Sequence, residues 1–116
     1  MRAQSRELFS KQGYHATSID DLVQSTGLLR GSLYKAFGSK RNLFESVLTE
    51  VAHSFEASRE NLDLLTVALK ELAPDDLGIR RICRSIVRDD DADFAELLGK
   101  NLLLNMKEKN GGETDN

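Results

Sequence analysis

The chain has no tryptophan, one proline and one cysteine among its 116 residues, and its aromatic residues are two Tyr and five Phe. A single thiol, Cys83, cannot close a disulfide within the chain. It also excludes zinc sites built on two or more cysteines. A reducing, cytoplasmic setting is the expectation. No apolar run approaches the ~20 residues of a membrane span, and Met1 leads into Arg2-Ala3-Gln4-Ser5-Arg6-Glu7 instead of the apolar stretch of a signal peptide. A soluble, unexported protein is expected. Sustained apolar–polar alternation is also missing, which argues against strands and for an all-α chain. At this length a single core needs no metal or disulfide staple, because such staples become usual only below roughly 40 residues.

Strong charge of one sign is lacking as well: 16 Lys and Arg stand against 19 Asp and Glu, a net charge of -3. That balance excludes a uniformly basic nucleic-acid coat. The two halves differ, however. Residues 1–51 hold seven basic and five acidic residues, net +2, whereas residues 52–116 hold nine and fourteen, net -5. Only the N-terminal half meets a polyanion without a charge penalty.

What is present is helical periodicity throughout. A first helix should reach about Gln12, with Leu8 and Phe9 facing inward and Gly13 just past its end. Thr17 is then expected to cap a short second helix through the amide of Asp20, with Ile19, Leu22 and Val23 as its apolar face. Gly27 ends that helix. A third should run from about Leu29 to Ala36, burying Leu33, with Phe37 at its exit and Gly38 as its stop. Ser39 is expected to cap a fourth helix extending to about Arg59 and burying Leu43, Phe44, Val47, Leu48, Val51 and Phe55. Further helices are predicted at Asn61–Leu72, at Asp76–Val87 and from about Asp91 to Lys107, followed by a polar, disordered tail at residues 110–116.

Two short helices joined by a tight turn at Gly27, within residues 18–36, have the layout of a helix-turn-helix, with a third short helix and a long fourth in support. The expected recognition helix offers Arg30, Ser32, Tyr34 and Lys35 around the single inward Leu33. Gly31 would let its backbone come close to whatever it touches. Arg30 has the fork to pair with guanine O6 and N7, and Ser32 or Lys35 can reach base edges or phosphates. Tyr34 suits a phosphate or a thymine methyl. The amides near Thr17 and Ser18, and those near Lys40, are at helix starts and therefore favour anions, with Lys40 and Arg41 adding full charges.

The pattern Leu8-Phe9, Gly13-Tyr14, Thr17-Ser18-Ile19, Leu22-Val23, Thr26-Gly27-Leu28, Gly31-Ser32-Leu33-Tyr34, Phe37, Ser39-Lys40 and Leu43-Phe44 resembles the DNA-binding region of the TetR family of bacterial transcriptional regulators. The resemblance covers about residues 1–48. It implies a DNA-binding domain there, a helical C-terminal region over residues 49–109 for dimerisation and a small-molecule effector, and operator DNA as partner of a homodimer. Under it, Arg30, Ser32 and Lys35 face the major groove, while Tyr34, Lys40 and Thr17 hold phosphates.

The remaining features have plainer readings. His15 and His53 stand 38 positions apart without a carboxylate at metal spacing and are expected on the surface, so no metal or cofactor is assigned. Cys83 falls on the apolar stripe of Ile79, Ile82, Ile86 and Val87, where a small buried residue belongs. A redox-sensing thiol beside Arg80, Arg81 and Arg84 is the sharper alternative. Asp89-Asp90-Asp91 reads as a solvated connection capping the last helix. That helix carries Phe94, Leu97, Leu98, Leu102, Leu103, Leu104 and Met106, an arc too broad for one face, read as a dimer seam or else a central core helix. No nucleophile paired with histidine, carboxylate dyad or phosphate loop is evident, so no enzymatic role is expected. Together these readings favour a repressor that binds a palindromic operator. The alternative is a shortened helical module that pairs with a longer relative, since about 65 residues follow the matched region, fewer than the family usually has.

Overall fold

The first four helices meet around two aromatic side chains, Phe9 and Phe44, both fully buried. In the computed structural model, which describes residues 2–87 and 92–114, α1 is Arg2–Gln12, α2 Ile19–Thr26, α3 Arg30–Phe37 and α4 Lys40–His53. The Phe9 and Phe44 rings meet edge to face at 5.1 Å, and Tyr14 joins both, at 5.9 Å and 5.3 Å. Such offset and edge-on pairs add packing energy beyond the area they bury. They tie α1, the loop after it and α4 into one base, against which Leu22 of α2 and Leu33 of α3 are seated.

Three further helices complete the described chain: α5 (Arg59–Val67), α6 (Leu77–Ile86) and α7 (Ala92–Thr114), with a π turn, Ala68–Leu72, directly after α5. The wide turn is closed by the Ala73 amide donating to the Ala68 carbonyl at 2.8 Å. α5 lies against α1, α6 against α4, and α7 against α5. The core therefore sits between α1, α4, α5 and α6, with Val47, Leu48, Leu64, Leu65, Ala68, Ile79 and Cys83 all buried. Among the described residues there are seven α-helices and no strand.

Most element ends fall where local chemistry places them. Gly13 and Gly27 take positive φ of 90° and 75° just past α1 and α2, a conformation that only glycine adopts without steric cost. Ser39 accepts from the Asn42 amide at 3.1 Å as the cap of α4, and Asp76 accepts from the Ile79 amide at 3.1 Å as the cap of α6.

Three expectations are corrected. The cap of α2 is Ser18, not Thr17: Ser18 accepts from the Asp21 amide and Asp21 accepts from the Ser18 amide, both at 3.0 Å, a reciprocal capping box. α4 stops at His53, six residues before the expected Arg59. Beyond it Phe55 turns to meet the Phe94 ring at 5.9 Å, and Ser58 starts α5 by accepting from the Asn61 amide. α7 does not end near Lys107 but continues through Gly111 and Gly112 to Thr114; each added residue of a formed helix closes one local bond, whatever its side chain. The Asp89-Asp90-Asp91 run, and residues 115 and 116 of the expected tail, lie outside the described residues.

Candidate nucleic-acid interface

α2 and α3 are joined by Gly27, Leu28 and Leu29. The Gly27 amide donates to the Val23 carbonyl at 2.9 Å, and the Thr26 hydroxyl donates to the Leu22 carbonyl at 2.7 Å. These bonds close the end of α2 and turn the chain sharply. Leu28 then packs on the core while Leu29 is 75% exposed. α3 is anchored by Leu33, 4% exposed, with Phe37 partly buried behind it. Its remaining side chains, Arg30, Ser32, Tyr34, Lys35 and Ala36, are exposed together with Gly31. A Cβ built on Gly31 would meet nothing within 4 Å, so the fold itself makes no demand for glycine there. Leu29 provides no side-chain cap, and no acidic residue lies in the first turn of α3. The amides opening this helix thus face solvent chemistry without a competing carboxylate on their own helix.

The start of α4 is shaped in the same sense. Lys40 is half-buried, and its ammonium donates to the carbonyls of Tyr14 and Thr17, both at 3.1 Å, while lying 4.2 Å from the centre of the Tyr14 ring. Lysine has three donors, so this anchoring fixes its position and leaves a hydrogen for a further acceptor. Thr17 precedes the cap of α2, and Lys40 is the first residue of α4. One ammonium therefore holds two helix N-termini side by side.

The sequence-predicted residues separate into groups here. Arg30, Gly31, Ser32, Tyr34 and Lys35 share the outer face of α3, and Lys40 and Ser18 lie at the neighbouring helix starts. Thr17 does not join them through its side chain. It is fully buried, and its hydroxyl donates to the Gly13 carbonyl at 2.6 Å. Arg41 also turns away: its guanidinium makes a two-point contact with Asp76, at 2.7 and 2.8 Å, and reaches Glu45 at 2.7 Å. These bonds hold the Asp76 carboxyl down at about 2 and raise Arg41 above its ordinary value. Arg41 thus joins α4 to α6.

Two features escaped the sequence reading. Arg30 is paired with Asp20 of α2, an exposed carboxylate ten positions away. The N-terminus of α2 is also partly occupied by its own acid, because the capping box uses the amides of Ser18 and Asp21, and hydrogen bonds from Ser18 lower the Asp21 carboxyl below its ordinary range. The pair of adjacent acids, Asp20-Asp21, is the signal that was available. Elsewhere, Cys83 is 2% exposed and burial pushes its thiol up to about 11. The structure contradicts the redox-sensing alternative, which needs an accessible thiolate.

With this geometry in place, residues 2–47 match the family model described as bacterial regulatory proteins, tetR family. The likeness to that family is confined to residues 2–47, less than half of the chain. Relatives of that segment include the transcriptional repressor ComR of Escherichia coli K12, 43% identical over 54 residues, which are 47% of this chain and 26% of ComR. The repressor KstR2 of Mycolicibacterium smegmatis is 36% identical over 66 residues, covering 56% of this chain and 32% of its own. IcaR of Staphylococcus aureus strain Newman, a negative transcriptional regulator of the biofilm operon icaADBC, is 42% identical over 38 residues, 33% of this chain and 20% of IcaR. The chain spans between a fifth and a third of these relatives. No solved structure matches it significantly. The matched segment coincides with α1–α3 and the first half of α4, the part that carries the exposed α3 face.

Proposed function

We propose that the chain is a DNA-binding transcriptional regulator of the repressor type, acting in the cytoplasm and reading operator DNA with α3. The observation that carries this reading is the outer face of α3. There Arg30, Ser32, Tyr34 and Lys35 stand clear of the core around an uncrowded Gly31, inside the segment that matches the family. A helix anchored by one leucine and otherwise presenting charge, hydroxyls and an aromatic edge fits a major groove. Arg30 exchanges Asp20 for a base, Ser32 and Lys35 take base edges or phosphates, and Tyr34 with the start of α4 clamps the backbone through Lys40. The phosphate role first given to the Thr17 side chain passes to Ser18 and the backbone beside it. Relatives named as repressors support occlusion of a promoter as the mode of action.

A homodimer on a palindromic operator completes the proposal, because two half-sites read together give specificity that one short helix lacks. In its support, α7 leaves Leu102, Leu103, Leu104 and Met106 about half exposed or more. A helix apolar on so many sides calls for a partner. The groove of about 750 Å³ between α1, α5 and α7, lined among others by Glu7, Lys11, Arg59 and Asp63, is the candidate effector site. Its walls combine apolar surface with charged side chains, and binding there would couple to operator affinity reciprocally. The test is a salt titration of binding to labelled duplex DNA. Affinity should fall steeply with salt, since each neutralised phosphate releases counterions; affinity that is absent or indifferent to salt overturns the proposal.

A further inference from the structure

Glu71 is in the π turn at the end of α5, far in sequence from the reading head, yet its carboxylate reaches into it. One oxygen, Oε1, accepts from the backbone amides of Tyr14 at 3.1 Å and His15 at 2.8 Å. Successive amides after a glycine of positive φ form a small anion-binding concavity, and here the anion comes from the chain itself. Gly13 accommodates this arrangement twice over. Its φ is 90°, and a Cβ there would stand 2.6 Å from the other Glu71 oxygen.

The same loop is held from its opposite side by Lys40, on the carbonyls of Tyr14 and Thr17. Residues 13–17 are thus gripped between a carboxylate from the body and an ammonium from the start of α4. The peptide group joining Tyr14 to His15 is held at both ends, its amide by Glu71 and its carbonyl by Lys40, so the two grips polarise it in one direction. The π turn matters because it is a departure from α geometry of the kind that recurs at functional positions, and Glu71 lies within it.

We propose that Glu71 is a positioning residue for DNA binding. By fixing the loop between α1 and α2 it sets where Lys40 and the two neighbouring helix starts stand, and so makes the phosphate clamp depend on how the π turn is docked. This role rests on the DNA-binding reading given above. Glu71 touches no DNA in it and acts only through the loop and Lys40.

The test uses the full chain and a labelled duplex of mixed sequence, with melting temperature recorded for every protein. Glu71→Ala should weaken binding by about tenfold, a loss in the usual range for coupled sites, and leave the salt slope unchanged. Glu71→Gln keeps a carbonyl acceptor for both amides and should stay within about threefold of the wild type. Lys40→Ala should weaken binding and reduce the salt slope by about one. The decisive comparison is the double variant, which should bind about as the Lys40→Ala protein does, because Glu71 works through Lys40. Should Glu71→Ala fail to fold, Glu71→Asp, with the charge kept and one methylene fewer, carries the same cycle. Losses that multiply in the double variant, or Glu71→Ala binding like the wild type, overturn the role of Glu71 while leaving DNA binding intact. If the wild type itself does not bind, the DNA-binding reading falls and the role of Glu71 falls with it.

Discussion

Replacing Gly31 by alanine should move stability and binding in opposite directions. Gly31 is the second residue of α3, and a Cβ at this position would meet no heavy atom within 4 Å. Its φ is not positive. Alanine therefore fits without strain and removes the entropy loss of glycine in a helix, a gain of about 0.5–1 kcal/mol. For a domain near this size that corresponds to a rise of roughly 2–6 °C in melting temperature. Against DNA the same methyl stands on the exposed face, between the backbone of α3 and the groove. Holding the helix away by a methyl loosens the contacts of Arg30 and Ser32, and one lost base contact alone amounts to about 1–3 kcal/mol. Binding should weaken by about tenfold or more. Thermal melting and fluorescence anisotropy on the same preparation read both effects. A variant that melts higher and binds DNA as tightly as the wild type refutes the seating of α3 in the groove. One that melts lower refutes the reading of Gly31 as unconstrained by the fold.

Other perturbations address separate contacts. Asp20→Asn removes the carboxylate paired with Arg30 and should tighten binding to duplex DNA several-fold, while costing less than about 1 kcal/mol of stability; weaker binding would mean that Asp20 orients Arg30 instead of competing for it. Asp76 has a folded-state carboxyl at about 2 against an ordinary 3.8. Its stabilising effect is therefore complete above about pH 4 and is lost as pH falls toward about 2, so Asp76→Asn should flatten the acid limb of stability measured in urea, and an unchanged limb would count against the Arg41 pairing. Asp63 accepts from Asn101 at 2.6 Å and from Asn105 at 2.5 Å, and Asn101 is 5% exposed. Asp63→Ala leaves that amide unpaired at a cost of about 1–3 kcal/mol, and hydrogen exchange should rise in α7 before α4; uniform loss of protection would show that α7 is not separately held.

The helices, the glycine stops and the Ser39 cap were legible because each depends on residues within a turn of one another. The exposed face of α3 was legible for the same reason: one leucine among polar neighbours defines inside and outside. Choosing between Thr17 and Ser18 was beyond local pattern, since adjacent hydroxyls both suit a cap. The decision came from Gly13, whose carbonyl takes the Thr17 hydroxyl. The end of α4 at His53 depends on Phe55 meeting Phe94 across the fold. The partners of Arg30, Arg41 and the Tyr14 and His15 amides are likewise brought in from a distance, by Asp20, Asp76 and Glu71. Charge and hydrogen-bonding capacity are written in the sequence, but the packing of whole helices selects the partner. Lys40 shows both sides of this: its place at a helix start was readable, and its anchoring on two carbonyls was not.

Whether α3 reads operator DNA is decided by selecting bound duplexes from a random pool with the wild-type chain and repeating the selection with Arg30→Ala. Enrichment of a related pair of half-sites by the wild type, and relaxed preference at a guanine position in the variant, are the expected results. Recovery of unselected sequence by the wild type, or an identical preferred site after loss of Arg30, would contradict a reading role for α3.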